Sequence, residues 1–138
     1  MNPTLRNVAA VVAGIVVCLL VNGLVIAVSS SVIPLPEGVD PNDMESFKAN
    51  VDKFRPEHFL FPFLAHAMGS LLGGWVAVIL SASRAMRLAI IVGAVHLIGG
   101  IAAAYMIPAP TWFIVADLAL AYLPMAWIGG RLAGAVAR

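Results

Sequence analysis

Apolar residues gather along this chain in four long blocks, Val8–Val28, Phe59–Leu80, Leu88–Met106 and Trp112–Gly130, and no lysine or arginine falls inside any of them. About 20 apolar residues in an α-helix cross the hydrocarbon core of a bilayer, and each block has 19 to 22. Lipid offers no partner for a free backbone N–H or C=O, so helices are the expected form. The alternation of a membrane β-barrel is absent. The pattern therefore predicts an all-α polytopic membrane protein, a single membrane domain over residues 1–138 built as a four-transmembrane-helix bundle.

The first block invites comparison with a signal peptide, since Arg6 precedes it and Ala27-Val28-Ser29 weakly imitates a cleavage site. It is longer than the usual apolar region of about 7–15 residues, and Val17 before Cys18 makes no lipobox. It reads as a true first span, with Ser29-Ser30-Ser31 as its exit.

Between the blocks lie three unlike connections. Residues 81–87 form a tight turn with Arg84 and Arg87, and residues 107–111 an uncharged turn with two prolines, which cannot continue a helix. The long loop over 29–58 holds its own helical signal. Asp40-Pro41-Asn42-Asp43 reads as an N-cap, a proline at the first position and an acid in the first turn. Met44, Phe47, Val51 and Phe54 follow at helical spacing, and Arg55-Pro56 ends the run. The spacing predicts a short amphipathic interfacial helix over about 41–54, lying flat on the membrane with its apolar side chains against lipid and helix tops. The alternative is a lid over the mouth of the bundle.

Composition narrows the class. The chain is 62% hydrophobic and 11% charged, against about 45–50% and about 25% in soluble domains. Disorder, a disulfide scaffold and nucleic-acid binding are excluded, for want of low hydrophobicity, several cysteines and a basic face respectively. The lone Cys18 reads as a small core residue. Charge placement then orients the bundle. Arg6, Arg84, Arg87, Arg131 and Arg138 flank one side, whereas Lys48, Lys53 and Arg55 share the long loop with six of the seven acids. Both termini are expected on the cytoplasmic side of a bacterial inner membrane, with the acidic loop outside.

Polar groups inside spans are costly and face the protein interior. Asn22, His66, His96 and Asp117 stand out, one per span. At ~1.5 Å per residue they lie ~9, ~10, ~15 and ~8 Å below the outer ends of their helices. His66 shares a helix face with Gly69 and Gly73, and His96 with Gly93 and Gly100. Such small residues, with Gly130 and Gly134 in the last block, are expected to let helices approach closely. Asp117 shares its face with Ala121 and Pro124, and Pro124 is expected to kink the span.

Several chemistries fit this set. Asp117 with His66 and His96 can fix helix register by hydrogen bonds, relay a proton or ion, or supply a three-ligand metal site. A bis-histidine haem would need His66 and His96 at matching depth. No catalytic motif or phosphate loop occurs, no cofactor is called for, and His58 reads as an interfacial side chain. In size the chain is similar to small multidrug transporters, but those carry their essential acid in the first span, where this chain has Asn22. The leading expectation is a non-enzymatic structural or accessory membrane component, a homo-oligomer or part of a larger complex docked through its glycine-rich faces. The alternatives are a small proton- or ion-coupled transporter and a metal- or haem-binding protein.

Overall fold

The computed structural model describes residues 2–136, and among them every regular element is helical. The order is α1 (Pro3–Val32), α2 (Met44–Ala49), two short 3₁₀ turns (Val51–Lys53 and Pro56–Phe59), α3 (Leu60–Leu80), α4 (Ala85–Met106), α5 (Thr111–Leu120) and α6 (Leu123–Val136). Four stretches are long and apolar enough to cross a membrane: α1, α3 with the turn before it, α4, and the α5–α6 pair over Thr111–Gly134.

The first span runs beyond its apolar block at both ends. Asn2 caps it, its side chain accepting from Thr4 N at 2.9 Å, with Pro3 at the first position. At the other end the serines stay helical, because Ser29 Oγ donates back to Ile26 O at 2.7 Å. The expected exit at Ser29–Ser31 is therefore displaced to Ile33.

Near the middle of the bundle lies α3, packed against α1, α4 and α6. Its seams are made by glycine. A Cβ on Gly73 would fall 2.7 Å from Gly14 O, and one on Gly74 would fall 2.6 Å from Ala126 O. Backbone contact of that closeness needs the absence of a side chain. Cys18 is buried at the α1–α3 seam beside Gly69 and Gly73. The buried stripe of α1 is just Ala10, Gly14 and Cys18, while Val12, Val16, Leu19, Leu20 and Leu24 stay exposed.

At the turn end of the bundle the chain is stitched by side chains. Asn7 Oδ1 accepts from Ala82 N at 2.9 Å and Ser83 N at 3.3 Å, while its Nδ2 donates to Ser83 Oγ. Arg6 Nε donates to Leu80 O at 2.9 Å. Arg84 closes the turn at φ +52°, in the left-handed region. Arg6, Arg84, Arg87 and Arg131 thus share one end, with Gly130 against Met86 and Ala89; Arg138 lies outside the described residues.

The fourth span is interrupted where Pro124 is expected to kink it: it breaks at Ala121-Tyr122, because Pro124 has no N–H for Leu120 O and its ring crowds that carbonyl. One expectation needs correction. The loop helix is shorter than 41–54. Asp40 accepts from Asn42 N and forms a turn, so Asp43 becomes the cap, accepting from Glu45 N at 3.0 Å. It stops at Ala49 because Asn50 Nδ2 takes Ser46 O at 2.8 Å, the carbonyl that helical continuation would use.

Candidate functional site

Asp117 is the single buried residue of α5, and its carboxylate is the centre of a cluster. His66 Nδ1, on α3, lies 2.9 Å from each of its oxygens. Tyr122 donates its hydroxyl to Oδ2 at 2.9 Å. In an unbroken helix, residues five apart point about 140° away from one another at 3.6 residues per turn. The break at Ala121-Tyr122 removes that separation and lets the phenol return to the carboxylate. With Asp117 ionised the carboxylate accepts only, so His66 Nδ1 then carries the hydrogen and in a neutral imidazole Nε2 is a bare acceptor.

His96, on α4, stands beside this group without touching the carboxylate. Its Nδ1 shares a 2.8 Å hydrogen bond with Ser70 Oγ. The two imidazoles meet edge to face, with centroids 5.8 Å apart, and Tyr122 packs on both at 5.2 and 4.9 Å. Edge-packed rings leave no slot for a porphyrin between the histidines. Among the described residues no three His, Cys, Asp or Glu side chains gather as a metal site requires.

Asn22 completes the set differently. It makes no hydrogen bond to His66 or Asp117, and its Oδ1 is buried with no partner. Such an orphaned acceptor carries a desolvation penalty of about 1–3 kcal/mol. Asn22, His66 and Asp117 all face one cavity of about 440 Å³ at the loop end of the bundle. Its walls come from every span: Ile26 of α1, Phe61 of α3, Ala103 of α4, and Phe113 and Ile114 of α5.

The loop forms the roof. Phe47 and Phe54 line the cavity and stack at 5.5 Å, and Phe54 continues to Phe59, which packs on Phe113 at 4.9 Å. Backbone and side-chain bonds hold this cover in shape. Gly38 O accepts from Ser46 Oγ at 3.2 Å, and Lys53 Nζ donates to Glu37 O at 3.0 Å. His58, expected as a plain interfacial side chain, lines the same cavity, and its Nδ1 accepts from Arg55 N. Met44 and Val51 stay exposed. Of the four apolar positions along the predicted loop helix, two therefore cover the cavity and two face outward.

The packing glycines divide in the same way. Gly69, Gly73, Gly93, Gly100 and Gly130 all lie at contacts within the bundle. At Gly100 an added Cβ would run into the Tyr122 hydroxyl. Gly134 differs: nothing lies near its Cβ position, and Ala133 fills the seam there with Val78 and Ala89. Gly14, Gly74 and Gly129 make equally close contacts that the sequence pattern did not single out. Two polar partners were also missed. Ser70 sits one helical turn from His66, and Tyr122 is a tyrosine in mid-span rather than in the interfacial belts where that residue is enriched. Its position was the available signal. Compared with known protein families, curated proteins and solved structures, the chain matches none of them.

Proposed function

We propose that this chain is a small proton-linked membrane transporter whose site is the cavity above His66 and Asp117. It would lie in a bacterial inner membrane with both termini cytoplasmic. The arginine-bearing helix ends on one side and the acidic loop on the other favour that orientation. One observation carries the functional reading: an imidazole–carboxylate–phenol cluster at the floor of a cavity walled by all four spans. Hydrogen bonds serving only to fix helix register need no open volume beside them. An ionisable pair facing a cavity can exchange its proton according to what occupies the space.

The accessory reading expects glycine-rich faces free to dock on a partner. Gly69, Gly73, Gly93, Gly100 and Gly130 are instead occupied within the bundle, and of the expected set Gly134 alone stands open. The test is proton uptake into proteoliposomes under an imposed pH gradient. Wild-type protein should dissipate the gradient and Asp117→Asn should fall to the rate of empty liposomes. Unchanged flux in that variant would remove the assignment. Stability should change little, because interhelical hydrogen bonds within membranes average about 0.6 kcal/mol.

A further inference from the structure

Resting on that reading, the ligand of the cavity can be specified from the hydrogen-bonding character of the groups that face it. Asn22 lines the cavity, but its Oδ1 is buried without a partner and offers the cavity no surface. His66 commits Nδ1 to Asp117, and Nε2 makes no protein hydrogen bond, so in the neutral ring it is a free acceptor. Behind it stands the carboxylate of Asp117, the one acid in any of the four apolar blocks. Among the described residues no lysine or arginine lines the cavity, and His58 is its other titratable side chain. At the other end, the aromatic faces of Phe47, Phe54 and Phe113 offer apolar contact and the negative face of a π-system.

We infer that the cavity binds a small amphiphilic organic ammonium, its charged head on His66 beside Asp117 and its apolar body under the phenylalanine roof. A floor of imidazole and carboxylate complements a cation with N–H donors. A carboxylate or phosphate would meet acceptors and like charge. The volume, about 440 Å³, lies within the range of about 300–1,000 Å³ typical of small-molecule pockets.

The same geometry makes a proton and an ammonium exclude one another. Protonation of His66 Nε2 removes the acceptor and places a like charge beside the ligand's head. When the ammonium arrives, the Nε2–H bond breaks and the proton leaves to water. Imidazolium with carboxylate, and ammonium with neutral imidazole and carboxylate, are both neutral overall. Neither state strands a net charge in low dielectric.

Equilibrium titration of the full-length protein in micelles, with empty micelles subtracted, tests this with three probes of one shape: 4-phenylbutylammonium, 4-phenylbutanol and 4-phenylbutyrate. The ammonium should bind at least tenfold tighter than the alcohol, and the carboxylate should not saturate. His66→Leu should weaken the ammonium at least tenfold while leaving the alcohol within about threefold. The probe series on wild-type protein stands even where the variant folds poorly. Equal binding of alcohol and ammonium, preferred binding of the carboxylate, or a folded His66→Leu protein with unchanged ammonium affinity would overturn the proposal. Ammonium selectivity without proton flux sinks the transporter reading and keeps the ligand class; flux without ammonium selectivity does the reverse.

Discussion

The two ends of the bundle are built from the same apolar alphabet and packed in opposite ways. Toward the turn end, backbones touch through Gly73, Gly74 and Gly129, and Asn7 ties α1 to the turn after α3. Toward the loop end, the helices stand apart around a cavity and a buried carboxylate, and aromatic rings from the loop close the top. For helices in lipid, which is as apolar as a protein interior, no hydrophobic gain would drive them together and close van der Waals contact would have to hold them. Concentrating that contact at one end leaves the other free to hold polar groups that pack poorly.

The contrast can be broken from either side. Gly74→Leu should have the largest effect, since its side chain would enter the Ala126 backbone. Overpacking costs about 1–3 kcal/mol and sometimes more, so the unfolding midpoint in mixed micelles should drop sharply. A midpoint within error of wild type would mean that the turn end is not tight. Next comes Gly100→Ala at the hollow end. Its methyl group displaces the Tyr122 hydroxyl, so proton flux should change by more than the folded fraction does. Equal losses of both would make Tyr122 merely structural.

Asn7→Ala should cost about 1 kcal/mol, typical of a lost side-chain cap, with faster amide exchange confined to residues 81–84. Exchange spreading to the cavity helices would show that the two ends are coupled. The smallest effect belongs to Gly99→Ala, where open space surrounds the Cβ position. Replacing an unconstrained helical glycine should stabilise by about 0.5–1 kcal/mol, read as a higher melting temperature. Destabilisation there would reveal a contact made only in the membrane.

The elements that hydrocarbon dictates were legible in the sequence. Span number and approximate limits follow from the length of apolar runs, and Pro124 foretold a bend. Asp117 and His66 were picked out because ionisable residues at such depth need partners. What escaped has a common cause in non-local geometry. Asn50 ends the loop helix by capturing Ser46 O, a competition invisible in periodicity. Tyr122 reaches Asp117 only because the helix breaks between them. Depth groups Asn22 with the histidines but says nothing of azimuth, and its oxygen is buried without bonding to either. Gly134 fitted the small-residue pattern, yet Ala133 occupies the seam.

The break in the fourth span has a mechanical consequence. Below it, α6 is wedged along α3 and α4; above it, α5 touches its neighbours lightly and buries only Asp117. Phe113, Ile114, Asp117 and Leu118, one whole side of the cavity, ride on that upper segment. It is a short rod pivoted at Ala121-Tyr122, with the carboxylate about one turn from the pivot. A tilt about that pivot would open the chamber at Phe113 and carry Asp117 about half as far. The carboxylate and one wall of the cavity thus hang on a single hinge, so widening the chamber and loosening the hold of His66 and Tyr122 on the acid would go together.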